Sequence, residues 1–369
     1  MHLEKLSLIN YKNILELELN FSPKINCFIG NNGMGKTNLL DAVYYLSFCK
    51  SYFSSTDQHN INHDAQFMVL EGKYQRKELE EVVYCGVKRG QKKNFKRNKK
   101  EYKKLSEHIG LLPIVMVSPA DGRLITDGSE ERRKYMDSVI SQYDRKYLDD
   151  LIRYNRVILQ RNKLLKDFAA GTKYDEDTLS IWDEQLVHLS ADIYKKRKDF
   201  LHKLMPVFQE YYSVISQGNE IVSLEYKSQL HEHGMRELLD NARWKDQVMQ
   251  YTTVGIHKDD LILNLGKYPI KKMGSQGQKK TYLIALKLAQ FEFIKQIASF
   301  TPILLLDDIF DKLDSNRVEQ IVRLVSEERF GQIFISDTNR DHLDDILSGS
   351  ALEYQLFTIA NGAIINSES

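Results

Sequence analysis

Residues Gly30-Asn31-Asn32-Gly33-Met34-Gly35-Lys36-Thr37 match the spacing G-x-x-x-x-G-K-[ST] at every fixed position. The pattern has a definite chemistry. Glycines let the backbone bend until its N–H groups face a phosphate chain. The lysine adds positive charge beside the outer phosphates, and the terminal hydroxyl ligates magnesium. A glycine turn that merely happens to end in Lys-Thr is the alternative, and the flanking residues argue against it. Asn26-Cys27-Phe28-Ile29 is a short apolar strand before the loop, and Leu39, Val43 and Leu46 share one face of a helix after it. Strand, glycine loop and helix N-terminus are what phosphate binding requires.

A second acidic position lies far downstream. Pro302-Ile303-Leu304-Leu305-Leu306-Asp307-Asp308 is an apolar run of the kind buried on both faces, ending in two carboxylates. Asp307 is placed to hold the magnesium, and Asp308 to orient or deprotonate an attacking water. Gly274-Ser275-Gln276-Gly277-Gln278 precedes a helix and resembles the ABC signature, Leu-Ser-Gly-Gly-Gln. The same Ser-Gln-Gly-Gln also suits an ordinary helix cap. Asp311-Lys312-Leu313-Asp314 has the D-loop spacing, with Asp314 its acid, and Gln332-Ile333-Phe334-Ile335-Ser336 has the form of the strand before the switch position. Their order behind the phosphate loop implies an ABC-type P-loop ATPase. In that class the signature of one subunit closes over the nucleotide of another, so a homodimer around ATP is expected.

These residues need a scaffold. Leu15, Leu17 and Leu19 alternate with polar residues as a half-buried strand, and the stretch from Phe67 to Val117 reads as further strands. Met136, Ile140, Tyr143, Tyr147, Leu151, Tyr154 and Ile158 then form one continuous helical stripe. A second stripe contains Trp182, Leu186, Leu189, Ile193, Phe200, Leu204 and Val207. Two long helices around a short loop make an antiparallel helical hairpin, in which Trp182 reads as core. The expected architecture is an α/β head with an inserted, mostly helical second lobe. Residues 1–118 form the first part of the head, 119–250 the inserted arm, and 251–369 the second part of the head.

Composition agrees with a globular protein: 369 residues, 42% hydrophobic, 28% charged, net charge +1. No apolar run is long enough to cross a bilayer. Charges at the start, from Met1 to Lys5, disfavour a signal peptide. The cysteines Cys27, Cys49 and Cys85 are too far apart for a zinc site or a disulfide framework. A cytoplasmic protein without a membrane partner is the expectation.

The chain resembles the RecF family, bacterial recombination and replication proteins related to SMC heads. The likeness rests on Asn10-Tyr11-Lys12-Asn13, on Gly35 through Tyr44, and on Ser118-Pro119-Ala120-Asp121 with Arg132-Arg133. It continues through Gln160-Arg161-Asn162-Lys163-Leu164-Leu165-Lys166, Gly255-Ile256-His257-Lys258-Asp259-Asp260-Leu261 and Ser275-Gln276-Gly277-Gln278. The resemblance implies an ATP- and magnesium-dependent protein of DNA repair, recombination and replication. Such a protein dimerises on double-stranded or gapped DNA and acts with RecO and RecR to load recombinase on single strands. There are departures. Ala120 stands where the family has glutamate, Lys279-Lys280 replaces Gln-Arg, and Ile256 replaces proline. No histidine occupies the switch position after Ile335, which leaves Ser336, Asp337 or Thr338 to serve there. Asp308, one methylene shorter than the glutamate of most ABC ATPases, fits the family and implies slow hydrolysis.

For DNA contact the candidates are Lys92, Lys93, Lys96, Arg97, Lys99 and Lys100, in a basic segment from Lys88 to Lys104 with Glu101 its only acid. A solvated charge run is the bland alternative. Arg132 and Arg133 read either as functional or as helix-surface partners of Glu130 or Glu131. His257 suits an inter-lobe polar network or an ordinary turn. Three other readings remain open: a transporter's nucleotide-binding subunit, disfavoured by the arm; an ATPase-coupled nuclease, disfavoured by the few residues after Asp337; and a non-enzymatic scaffold that binds ATP without turnover.

Overall fold

The structure is a computed structural model that describes all residues except 173–174, 219, 299, 311–312, 326–328, 339, 341–343, 345–352 and 369. The chain forms two units: Met1–Gly122 with Glu210–Asn219 and Ser275–Ser369, and Arg123–Gln209 with Glu220–Gly274.

The first unit begins with β1 (His2–Tyr11), β2 (Ile14–Asn20), β3 (Ile25–Ile29) and α1 (Lys36–Phe48). It continues through β4 (Phe67–Arg76), β5 (Leu79–Lys88), β6 (Asn94–Arg97), β7 (Lys100–Glu101) and β8 (Ile114–Val117). An antiparallel sheet runs in the order β2-β1-β4-β5-β6-β7. In β5, Glu81, Val83, Cys85 and Val87 turn inward while their neighbours turn outward, the period of a half-buried strand. The α1 face expected from the sequence packs in the same core, with Leu39, Val43 and Leu46 fully buried beside Leu70 and Phe95. One detail departs from expectation. Leu15 is 65% exposed on the edge strand β2, whose Ile14 and Leu19 are buried and whose Leu17 packs part-buried against the core.

The second unit holds α2 (Arg123–Thr126), α3 (Ser129–Ser141), α4 (Arg145–Ala169) and most of α5 (Glu176–Ser216). It is completed by β9 (Val222–Lys227), α6 (Met235–Met249), β10 (Asp260–Leu265), β11 (Tyr268–Pro269) and α7 (Ile270–Met273). The stripe expected to be one helix is two. The first ends at Ser141 with Gln142 its C-cap, and Asp144 caps the second, its carboxylate accepting from the Tyr147 N–H at 2.9 Å. The hairpin itself is antiparallel, since Asp144 pairs with Lys196 near one end and Arg161 with Asp183 near the other. Trp182 is only half-buried. Arg161 is fully buried and bonds Asp183 and Asp246 at 2.6 Å each, which explains an arginine on an inward face.

Arg132 and Arg133 do not pair with Glu130 or Glu131. Those acids pair with Lys134, while Arg132 holds Asp260 through two bonds and Arg133 donates to the Asp259 carbonyl. His257 takes the ordinary role: it bonds the Tyr154 hydroxyl and the Thr252 carbonyl, both in its own unit.

The first unit resumes with α8 (Gln276–Ile297), β12 (Ile303–Asp307), α9 (Ser315–Val325), β13 (Ile333–Asp337), β14 (Tyr354–Ala360) and β15 (Ala363–Glu368). A second sheet runs β15-β14-β3-β13-β12-β8, parallel except for the β14–β15 pair. The middle strands β12 and β13, and β8 at the edge beside them, are buried at every residue, as parallel strands covered on both faces must be. The boundaries differ from the expected ones. Residues 251–274 lie in the second unit, because β10 pairs with β9. The end of α5 lies in the first, where Tyr212 packs edge-on against Tyr282.

Two histidines give this fold a pH signature. His108 is buried, bonding the Leu46 carbonyl through Nε2 at 2.7 Å and the Tyr102 hydroxyl through Nδ1 at 3.0 Å. Burial pushes both His108 and His257 down to about 4 from an ordinary 6.5. The unfolded chain therefore takes up these protons first as pH falls. The stability they contribute is full above pH 6.5 and declines toward pH 4. We expect the melting temperature to drop between pH 7 and 5, and to drop less in His108→Gln, whose amide can make both bonds. An equal drop in variant and wild type would contradict the assignment.

Candidate functional site

The register of the parallel sheet builds the site. Asp307 lies opposite Ser336, Leu306 opposite Val117, and Ser336 opposite Phe28. Ser118, Asp307, Ser336 and the start of the glycine loop therefore come to one edge, beyond the C-terminal ends of adjacent strands. The loop leaves β3 at Gly30 with φ 155°. A Cβ there would stand 2.4 Å from the Ile359 carbonyl oxygen, so no larger residue fits. Gly35, at φ 112°, then starts α1 in a conformation that side chains rarely adopt, and the Asn38 and Leu39 N–H groups donate to its carbonyl. Met34 braces the loop, its carbonyl accepting from Gly362 N–H and its sulfur from Asn361 N–H.

Of the eight loop residues expected at the site, Asn32, Gly33, Gly35, Lys36 and Thr37 line one cleft together with Asn38, Asp307 and Asp308. The Lys36 ammonium donates to the carbonyls of Gly30 at 2.5 Å and Asn31 at 3.0 Å. Burial lowers its pKa, while Asp308, Asp307 and Asp337 act in the opposite direction. Across the cleft Asp307 accepts from three hydroxyls: Thr37 at 2.8 Å and Ser336 at 2.8 Å on Oδ1, and Ser118 at 3.2 Å on Oδ2. The Thr37 and Asp307 oxygens are a hard donor pair suited to magnesium, which takes one or two protein oxygens and fills the rest with water and phosphate. Among the described residues no cluster of three or more His, Cys, Asp or Glu offers a rival metal site.

Asp308 stands next to this pair in a left-handed conformation, φ 49°, with its N–H bonded to the Ser336 carbonyl at 3.1 Å. Such strain on a non-glycine residue is stored where the surroundings over-determine it. Of the three switch candidates, Ser336 is fully buried under Asp307, Asp337 is nearly so, and Thr338 is exposed.

Several supports have no independent sequence signal. Asn13 reaches the loop, accepting from Asn38 Nδ2 at 2.7 Å. Asp41, fully buried, accepts from Tyr11, Lys12, Ser51 and the Tyr52 N–H. Asp121 accepts from the Ser118 N–H and from the Tyr52 hydroxyl, and pairs with Lys287 of α8 at 2.7 Å. Asn13, Asp41, Ser118 and Asp121 fall inside recognisable motifs, yet Lys287 looks like any helix lysine. The alanine at position 120 leaves Asp121 as the buried acid of that segment.

Ser275 and Gln278 form a reciprocal cap on α8: the Gln278 N–H donates to Ser275 Oγ at 3.1 Å, and the Ser275 N–H to Gln278 Oε1 at 2.7 Å. A Cβ on Gly277 would sit 3.3 Å from Nη1 of Arg317. That guanidinium bonds Thr281 on α8 and Asp314, whose carboxylate also accepts from the Arg317 N–H. Asp314 thus joins α9 to the signature helix, while Asp311 and Lys312 lie outside the described residues.

The DNA candidates divide. Lys93 is held by the Cys49 carbonyl, the Tyr45 hydroxyl and Asp57, and Arg97 by Glu81, so neither is free to meet a ligand. Lys96 lies over the Tyr84 ring, whereas Lys92, Lys99 and Lys100 are exposed.

Comparison with known proteins gives a consistent picture. The RecF/RecN/SMC N terminal domain family matches residues 2–355. The chain is 56% identical over 366 residues to the DNA replication and repair protein RecF of Phocaeicola vulgatus, covering 99% of this chain and 98% of that one. The RecF of Flavobacterium johnsoniae is 51% identical over 359 residues, with 97% and 100% covered. A solved structure described as the recombination mediator protein RecF-ATP in the RecFOR pathway matches with a TM-score of 0.89 at 30% identity, covering 100% of this chain and 98% of that one. An SMC head bound to the C-winged helix domain of ScpA, 18% identical with a TM-score of 0.60 over 100% and 98% of the two chains, shares the fold.

The cap yields a prediction. Ser275→Ala should destabilise by about 1 kcal/mol through loss of the cap, while Ser275→Gly should cost only a few tenths. Denaturant titration of both variants checks this. Equal losses would mean that the serine hydroxyl does not cap α8.

Proposed function

The chain belongs to the RecF family, and from that premise we propose that it binds ATP in the cleft between Gly33 and Asp308, dimerises around it on DNA, and hydrolyses it slowly. The observation that carries this reading is the 2.8 Å contact of Thr37 with Asp307 directly beside Lys36. The amides of Asn32 to Thr37 and the N-terminus of α1 receive the phosphates, and Lys36 turns from its carbonyl partners to them. Magnesium, held by Thr37 and Asp307, would offset phosphate charge when bound. Asp308 orients the attacking water. Its short carboxylate and fixed backbone suit a slow, timed turnover better than a motor.

The segment Ser275 to Gln278 of a second copy completes the pocket at the γ-phosphate through the Ser275 hydroxyl and the backbone N–H groups of Gln276 and Gly277. The cap is compatible with this, because the serine hydroxyl accepts within its own helix and keeps its proton for an outside acceptor. Asp314, through Arg317 and Thr281, ties the D-loop to that helix. The homodimer acts with RecO and RecR on double-stranded or gapped DNA to favour recombinase loading. A cytoplasmic location would fit this DNA-directed role. No helix among the described residues is long and apolar enough to cross a membrane.

Analytical sedimentation with ATP, with and without duplex DNA, tests the proposal. Wild type should sediment as a dimer with ATP, and Lys36→Met as a monomer. A wild type that stays monomeric both with and without DNA rules the ATP-gated dimer out.

A further inference from the structure

The basic segment after β5 has an organisation that the nucleotide site does not explain. Lys88, Lys92, Lys99, Lys100, Lys103 and Lys104 are all exposed, and among the described residues none of them forms an ion pair. Cations that do have partners stand beside them. Lys93 pairs with Asp57 and bonds the Tyr45 hydroxyl and Cys49 carbonyl at the end of α1, while Arg97 pairs with Glu81 of β5. The protein as a whole carries only +1, so this unpaired charge is local.

The hairpin turn is also anchored to β5. Arg97 faces Lys100 across a two-residue turn, and both turn residues have positive φ, Asn98 at 48° and Lys99 at 67°. That is the type I′ geometry, in which glycine is favoured at the second position. Lysine stands there instead, at a conformational cost. Asn98 locks the turn, its side chain accepting from the Val82 N–H at 2.8 Å and donating to Glu81 at 2.9 Å. A strained lysine on an anchored tip is a charge held in place.

The aromatic residues of the segment face inward. Phe95 is buried, and Tyr102 bonds His108. Surfaces that hold single strands stack bases on exposed aromatics, and this hairpin offers none from Phe95 or Tyr102. What remains is charge alone, which suits the denser phosphate array of a duplex.

We propose that the β6–β7 hairpin and its flanking lysines track the phosphate backbone of duplex DNA without reading sequence. The inference rests on the DNA-directed reading above and gives it a surface. Lys99 is its central contact, and Lys92, Lys100 and Lys103 flank it.

The test is binding of the full-length protein, with ATP, to a labelled mixed-sequence duplex and to the matching single strand over a range of salt. Wild type is compared with a quadruple variant (Lys92→Gln, Lys99→Gly, Lys100→Gln, Lys103→Gln) and with the four corresponding Lys→Arg changes. The quadruple variant should bind duplex at least about tenfold more weakly. Its log–log salt slope should be shallower by about 3.6, at roughly 0.9 per phosphate contact for the four lysines removed, and the arginine variant should keep the wild-type slope. Lys99→Gly alone, which relieves the turn, should melt no lower than wild type and still lose about one unit of slope. It carries the test if the quadruple variant does not fold. Equal slopes in wild type and variant overturn the hairpin proposal. Loss confined to the single strand overturns its assignment to duplex. A wild type that binds neither DNA overturns the DNA-directed reading itself.

Discussion

The Asp307 carboxylate is the point on which the nucleotide site depends. It is 3% exposed, and burying an ionised carboxylate costs several kcal/mol unless hydrogen bonds replace its water. Three hydroxyls do so, from Thr37, Ser118 and Ser336, each standing at the end of a different element. Bonds to a charged group are worth about 1.5 to 3 kcal/mol each, enough together to offset that cost. The arrangement exists only because β3, β13, β12 and β8 are parallel and in register. A slip of one residue in β12 would turn Asp307 to the opposite face of the sheet.

From this carboxylate the polar groups extend through the first unit. Ser118 leads by its N–H to Asp121, and Asp121 to Lys287 on the helix that begins at the Ser275 cap. Tyr52 connects the same aspartate to Asp41, which holds Lys12 and the turn that carries Asn13. A change at the cleft therefore has fully hydrogen-bonded partners along the way to the signature helix. The second unit is held in another fashion. Arg161 and Arg197 are buried among aspartates, so its helices are specified by ion pairs that fail if one partner is removed.

Much of this was legible in the sequence, for physical reasons. The phosphate loop, Asp307 and the switch strand each follow a fully buried strand, and such strands appear as unbroken apolar runs. The helical hairpin showed its period, yet the stripe could not show the break at Asp144, because a capping aspartate between two in-phase helices leaves the period intact. What stayed hidden were contacts between distant residues. Ser118 meets Asp307 and Lys287 meets Asp121 only once the sheet is assembled. Arg132, too, found Asp260 far along the chain rather than the glutamates beside it, and residues 251–274 followed β10 into the second unit. In the basic segment the composition was evident, but only the hairpin geometry separates Lys93 and Arg97, which hold the fold, from Lys99, which does not.

The central claim is that Asp307 and Thr37 together form the magnesium-dependent part of an ATP site. Calorimetric titration of ATP into wild type and Asp307→Ala, with and without magnesium, tests it most directly. The account predicts that magnesium tightens ATP binding to wild type by at least about tenfold, or 1.4 kcal/mol, and leaves the variant's affinity nearly unchanged. Equal tightening in both proteins would contradict it.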